Sequence, residues 1–551
     1  MRRYKTSEVW GWLLFNTLIV TAIVLPLGDV LLSVFRDSEG VWSHLAETVL
    51  PRYIRNTLIL ALGVVTATIV IGVSTAWIVT HCEFPGRKLV QWALILPLAI
   101  PSYLLAYATT DFFQYAGPFQ TMLRETFQWE REDYWFPTMR SLPGAICILS
   151  VSLYPYVYLA CRTAFLQLDH SMLQTSRLLG AGPFRTFRKV TFPLVRPAVI
   201  AGAMLVLMET LAEFGAVDYC AVDTFATGIY RTWLSHGSLV GAGQLSACLV
   251  GAIIMIIIFH RWFGRNKRVS SNNGGFNEFQ RIQPGFAGKM LSSIIVWTPV
   301  VLGFLLPLSI FIDMTIENGD QRAMELLGEL AQNSILVSAI VAMACVVLSF
   351  GLLASMRRCP HFINQTIVSG SGLGYAIPGT VIAIGCLSPL YFIEEQSAAW
   401  CQTIFSYDPG FWATSTIAGL AFGYICRFLA VSNGMVRAGY QRIPETLDDA
   451  SFVLRRGSLR TISGVHLPLL SSSLFMAGLM VFVDAMKELP ITLVLRPFNF
   501  DTLAVRVYQL ASDERLDEAA ASALAIIVVG LVPVVILSKY VFSKNMDSSP
   551  E

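Results

Sequence analysis

"QTSRLLGAGPFRTFRKVTFPLV" occupies residues 174–195, and "DASFVLRRGSLRTISGVHLPLL" occupies residues 449–470. Each phrase sets a cluster of cations ahead of a proline and a long apolar run. The cations are Arg177, Arg185, Arg188 and Lys189 in the first, and Arg455, Arg456 and Arg460 in the second. The prolines, Pro193 and Pro468, stand 275 positions apart in a chain of 551 residues. A basic, helix-prone phrase written twice between greasy stretches points to a duplicated architecture.

The surroundings are membrane-like. Only 14% of the residues are charged, 54% are hydrophobic, and the mean hydropathy is +0.59. Soluble domains carry about 25% charged residues. The apolar residues come in runs of roughly 20, the length a helix needs to cross the hydrocarbon core. Short alternating strands of a barrel are not seen. The fold class is therefore all-α and polytopic. Hydropathy places spans near 11–35, 54–80, 89–115, 142–166, 194–216 and 239–263, then near 291–313, 333–356, 364–392, 409–431, 468–492 and 521–543. The first of these is too long for a signal-peptide core, and no clear small-residue cleavage site follows it, so it reads as a retained span. The ten cysteines form no C-x-x-C pair and no zinc spacing. Several sit inside apolar runs (Cys248, Cys345, Cys386) and read as packing residues.

The two halves align. Asn56-Thr57-Leu58-Ile59 answers Asn333-Ser334-Ile335-Leu336, and "LPLAIP" ending at Pro101 answers "LGYAIP" ending at Pro378. Six spans per half is an even number, so both halves run the same way through the bilayer. That is a parallel repeat. The expected division is a first six-helix domain at 1–266, a cytoplasmic linker at 267–289 within the polar stretch "GRNKRVSSNNGGFNEFQRIQPGFAGK", and a second six-helix domain at 290–551. Lys and Arg concentrate in the loops on the side of the N-terminus, and acids on the other. The positive-inside rule then makes both termini cytoplasmic. The acidic outer face suits cations.

Both basic phrases fall on the cytoplasmic side, between the fourth and fifth span of their half. "LDHSMLQTSRLLG" starts with an Asp/Ser cap, and Leu173, Leu178 and Leu179 can form an apolar stripe. "IPETLDDASFVLRRG" has Pro444 near the helix start, acids in the first turn and Arg455 and Arg456 in the last, which complements the helix dipole. Each then runs to a V-x-[FL]-P stop before the next span. Topology needs only the charge, so the repeated helix-plus-proline pattern asks for a further reason.

That pattern resembles the coupling loop of ABC importer permeases, E-A-A-x-x-x-G, nine residues, I-x-L-P. The matching positions are Gln174, Thr175, Ser176, Gly180 and Pro193 in the first copy, and Asp449, Ala450, Ser451 and Pro468 in the second. Gln174 replaces the family's Glu. Arg455 stands where its Gly belongs, with Gly457 two positions later. The stretches "LPLAIPSYLLAYATTDFFQYAGPFQ" (96–120), "ETLAEFGAVDY" (209–219) and "MKELPITLVLRPFNFDTLAVRVYQLASDERLDEAA" (486–520) look like the fused ferric-iron permeases of the Fbp/Sfu type. The resemblance implies two permease domains in one chain, a docking helix for each of two ABC ATPase subunits, and a periplasmic solute-binding protein that delivers cargo at a bacterial inner membrane. It implies no cofactor. Related permeases carry thiamine, polyamines or other small solutes, and these remain the alternative cargoes.

No engine is encoded. The nearest approach to a phosphate-cradling loop is "QPGFAGKM" (283–290), with Gln283 and Met290 where Gly and Ser or Thr are needed. No H-E-x-x-H or G-x-S-x-G occurs, and nothing suggests nucleic-acid binding. The chain reads as a transport subunit with no catalytic residues, its ATPase on a separate chain.

Acids recur at depth. Glu209 and Glu213 lie four apart, as do Asp484 and Glu488, which places each pair on one helix face. From Pro193 to Glu209 is about 24 Å of helix rise, past the midplane. Ionisable groups there face a polar cavity or a partner. Lys487 can neutralise one of the second pair. Tyr103, Tyr107 and Asp111 can add oxygen ligands if they face inward. The pathway reading makes these seven residues a transient carboxylate relay for a hard cation, with no stable metal site. The competing reading has the acids capping or bracing helices and the tyrosines in an interfacial belt. An ion-driven secondary transporter also accounts for the acids, though not for the paired cytoplasmic helices.

Overall fold

The computed structural model describes residues 6–168, 176, 178, 180, 182–264, 282–317, 321–359, 361–372, 374–408, 410–454 and 458–543. Among them ten helices are long and apolar enough to cross a membrane, and two bent helix pairs bring the count to twelve. Among the described residues, β pairing is limited to one isolated bridge between Cys82 and Ile282.

Local chemistry sets the ends. The Leu142–Leu166 helix starts where Ser141 Oγ accepts from the Gly144 amide at 3.2 Å, with Pro143 in the first turn. The Ile417–Tyr440 helix starts the same way, at Thr416 and Ala418. Two expected continuous spans are instead broken. Arg87–Ala99 and Ser102–Phe127 meet at 96°, and Phe362–Ala376 and Gly379–Phe405 at 118°. The breaks fall at Pro101 and Pro378, both at φ near −55° and ψ 143°. A proline has no amide hydrogen to give the ladder and disfavours helical backbone in the residue before it, which is what the repeated A-I-P encodes.

The chain packs as two units. One comprises Met1–Leu45, Gly228–Val250 and Gln321–Gln509, and the other Ala46–Thr227, Gly251–Asp320 and Leu510–Glu551. These units cut across the sequence halves. In the first unit the opening helix, Thr6–Ser33, lies against Phe362–Gly370 and Gly379–Phe405. Its Ile19, Val20 and Ile23 join a core with Val341, Cys345, Leu352 and Tyr424. Asn16, fully buried, donates to Ser355 Oγ at 2.6 Å and Asn364 Oδ1 at 2.5 Å. Gly385 lets the helices touch: a Cβ there would sit 2.3 Å from the Pro26 carbonyl oxygen. In the second unit Leu306–Glu317 packs on Ser102–Phe113 and on the closing helix Leu516–Ser543.

The repeat is visible in the contacts. Asn56 Nδ2 donates to the Asp223 carbonyl at 3.0 Å, and Asn333 Nδ2 to the Asp501 carbonyl at 3.1 Å. Thr57 Oγ1 accepts from the Phe225 amide, and Ser334 Oγ from the Leu503 amide. The sequence match between these dipeptides thus reflects one shared task, latching the loop that precedes a short helix, Phe225–His236 or Leu503–Ser512. Of the three cysteines singled out, Cys345 and Cys386 are buried, whereas Cys248 is exposed.

Candidate coupling and pathway sites

The second basic phrase contains a short helix, Glu445–Val453. Its two faces differ. Asp448 and Ser451 point inward and are buried, while Asp449 and Ala450 are exposed. Leu447, Val453 and Leu454 present apolar surface outward, at 39%, 78% and 71% exposure. Apolar groups displayed beside carboxylates suit a protein partner. In the first phrase Gln174 and Thr175 lie outside the described residues, as does Gly457 in the second. Ser176 is buried, and Gly180 adopts φ +76°, a conformation glycine takes without strain. Leu178 is 87% exposed and joins no buried stripe, and Leu173 and Leu179 are outside the described residues.

Both phrases are tied by the same hydroxyl bridge. Ser176 Oγ and Thr186 Oγ1 lie 2.9 Å apart, and Ser451 Oγ and Thr461 Oγ1 lie 2.5 Å apart, all buried. The chain then widens into a π-helical turn, Phe187–Thr191 or Ile462–His466, and continues directly into the helices Phe192–Ala212 and Leu467–Met486. Pro193 and Pro468 are the second residues of these helices, so they do not stop the segment as the sequence suggested. A proline ring clashes with the carbonyl four residues back, and a widened turn relieves the clash.

Asp448 carries more. Its Oδ2 accepts from Arg357 Nε at 2.7 Å and its Oδ1 pairs with His466 Nε2 at 2.8 Å. Arg357 also donates to the carbonyls of Tyr440 (2.9 Å), Ile443 (2.8 Å) and Pro444 (3.0 Å). Burial alone would raise the Asp448 carboxyl; hydrogen bonds from Arg357 and His466, with their charges, outweigh it and hold the group below the usual carboxylate range. Neither Arg357 nor His466 was legible as a site residue, because their link to Asp448 spans 91 and 18 positions.

The acids at depth do not share helix faces as expected. Phe192–Ala212 ends before Glu213, which is extended at ψ 125°, and Leu467–Met486 ends before Glu488. Each glutamate sits in the break and caps the next short helix. Glu213 Oε1 accepts from the Ala216 amide at 3.0 Å, and Glu488 Oε1 from the Ile491 amide at 3.3 Å. Each also has one partner across the fold. Ser102 Oγ donates to Glu213 Oε2 at 2.5 Å, while Arg427 Nη1 donates to Glu488 Oε1 at 2.8 Å. Gly379 occupies the position of Ser102 in the second half. A Cβ on it would lie 2.1 Å from Arg427 Nη1, so the guanidinium passes through the space a side chain would fill. Asp484 pairs with Lys487 at 3.0 Å, and Glu209 is half-buried in the last turn of its helix.

Tyr103 and Tyr107 are interior residues rather than belt residues, at 4% and 0% exposure. The Tyr107 ring meets Tyr219 edge-on at 4.5 Å, and Arg140 lies over the other ring at 4.9 Å. Asp111 Oδ1 accepts from Gln114 Nε2 at 3.0 Å. Tyr103, Tyr107 and Glu213 thus meet around Ser102–Phe113 in one unit, and Asp484 and Glu488 belong to the other. Among the described residues no group of three or more His, Cys, Asp and Glu converges as a metal would require.

Residues 68–268 match the family described as binding-protein-dependent transport system inner membrane component. Over 538 residues the chain is 26% identical to the Fe(3+)-transport system permease protein FbpB 2 of Haemophilus influenzae, covering 96% of this chain and 98% of that protein. It is 24% identical to the ferric transport system permease protein FbpB of Actinobacillus pleuropneumoniae, over 94% of this chain and 76% of the relative. A shorter relative, the molybdenum transport system permease protein ModB of Escherichia coli, is 28% identical over 205 residues, which is 36% of this chain and 86% of ModB.

Proposed function

We infer that this chain, a polytopic permease carrying the binding-protein-dependent transport domain over residues 68–268, is the membrane-spanning subunit of an ATP-driven importer with ferric iron as its cargo. The cargo reading rests on relatives named for ferric transport that match over nearly the whole chain, where the molybdenum permease matches only part of it. The acidic outer loops agree with a cationic cargo.

The observation that carries the coupling reading is the duplicated, hydroxyl-bridged segment at Ser176–Thr186 and Ser451–Thr461, leading by a π turn into a span. Two equivalent segments suit two ATPase subunits, and the exposed face of Glu445–Val453 suits docking. In this reading both termini are cytoplasmic, residues 1–266 and 290–551 are the two repeats, and a periplasmic binding protein meets the acidic loops. Closure of the ATPase pair draws the two segments together and turns the spans that grow out of them as rigid bodies.

Glu213 and Glu488 sit where a helix breaks, and their cap bonds account for their burial without a substrate. A pathway role is retained for Glu209 and Glu213, whose unit also holds Tyr103, Tyr107 and Asp111, and for Asp484. It is weakest for Glu488, which Arg427 neutralises. The test is uptake by proteoliposomes holding the chain, its ATPase and its binding protein. Ferric iron should accumulate only with internal ATP and regardless of a proton gradient. Uptake that needs the gradient and ignores ATP contradicts the importer reading.

A further inference from the structure

We propose that Arg357, Asp448 and His466 are positioning residues that make the second coupling segment a rigid lever for transport. This rests on the coupling reading above.

The geometry of the hub is specific. Arg357 ends the span Leu326–Arg358. It bonds the last carbonyl of Ile417–Tyr440, two carbonyls of the connecting turn, and the buried carboxylate of Asp448 on the coupling helix. His466, fully buried, ties that same carboxylate to the π turn at the root of Leu467–Met486. Three spans and the coupling helix therefore converge on one carboxylate. Every guanidinium contact is to a different segment from the one Arg357 sits on, so the coupling helix cannot tilt without breaking charge-assisted bonds.

The matching positions of the first half carry other residues. The hydroxyl bridges and π turns of the two halves superpose in sequence at an offset of 275, and the ends of Leu50–His81 and Gln321–Arg358 at 277. By these offsets Thr80 stands at the position of Arg357, Leu173 at that of Asp448 and Thr191 at that of His466. None is charged. The duplication kept the hydroxyl bridge, while the three hub residues have no charged counterparts at the matching positions of the first half. A segment fixed to three spans passes a displacement on.

The test uses the full complex in liposomes and reads ions delivered per ATP hydrolysed. Arg357→Lys keeps the cation but loses the fork, and Asp448→Asn keeps the shape but loses the charge. Both should lower the ratio tenfold or more while ATP hydrolysis stays within twofold of wild type. Asp448→Glu should recover most of the ratio, and Thr191→Val should leave it unchanged. Should Asp448→Asn fail to assemble, Arg357→Lys decides. A nitroxide at Asp449 gives a readout independent of any partner: its motion should increase in Arg357→Lys and not in Thr191→Val. An assembled Arg357→Lys complex with the wild-type ratio overturns the proposal. A wild-type chain that recruits no ATPase overturns the coupling reading instead.

Discussion

Ser451 Oγ lies 2.5 Å from Thr461 Oγ1 in a fully enclosed contact, and 275 positions earlier Ser176 makes the same bridge to Thr186. Two hydroxyls buried together satisfy each other, and removing either loses that bond at a cost of about 1 kcal/mol. The bridge fastens each basic phrase to the root of the following span. Ser451→Ala and Thr461→Val should each lower the thermal midpoint of the purified chain, and the double variant should add little to either. The same cycle at Ser176 and Thr186 should give a similar coupling. Additive losses in both cycles would show that the hydroxyls do not act as a pair.

Arg427 and Glu488 form a buried ion pair at 13% and 6% side-chain exposure. Breaking such a pair from one side strands a charge and costs about 3–5 kcal/mol. Arg427→Ala should therefore reduce folded yield sharply, and Arg427→Ala with Glu488→Gln should recover part of it. The check is monodisperse yield and thermal midpoint in detergent. A single variant as stable as wild type would contradict the brace.

Gly379→Ala should lower stability. The new methyl would overlap the Arg427 guanidinium, which must shift and strain its pair with Glu488. The reciprocal change, Ser102→Gly, removes the hydrogen bond to the Glu213 carboxylate and adds backbone freedom at the helix start, so it should cost about 2 kcal/mol. Thermal midpoints of the two variants compared side by side decide this.

Transport separates bracing from a pathway role. Glu213→Gln keeps one oxygen for the Ala216 amide and sets an NH2 opposite Ser102 Oγ, whose hydroxyl can turn to accept from it, so stability should change little. If Glu213 meets cargo, iron uptake should fall at least tenfold with assembly intact; wild-type uptake would leave the residue as a cap. Glu209→Gln and Asp484→Asn are read the same way. Glu488→Gln should affect stability more than uptake.

What the sequence made legible was periodic or repeated. The 142–166 span was placed to the residue, because a Ser-Leu-Pro-Gly cap and an unbroken apolar run mark it. The A-I-P repeat aligned the halves, but the spans at 89–115 and 364–392 ran straight through both prolines, because hydropathy continues across the breaks. The acids were noticed at the right positions but assigned to continuous helices. Nothing in a hydropathy profile separates a span that continues past Ala212 from one that stops there and restarts at Gly215. The exchange of opening helices between the halves was hidden for the same reason: Asn16 finds Ser355 and Asn364 only in three dimensions. Arg357 escaped notice because alone it reads as a positive-inside residue at a span end, and His466 because its partner Asp448 is 18 positions away.

The central claim is that the short helix Glu445–Val453 is where a separate ATPase grips this chain. The direct test places a photo-crosslinking residue at Asp449, on the exposed face, in the complex with the cognate ATP-binding subunit. Irradiation should join the two chains, and a crosslinker at Phe405, at the end of the Gly379–Phe405 helix that this reading assigns to the opposite side of the membrane, should not. Capture of the ATPase from Phe405 and not from Asp449 would contradict the account.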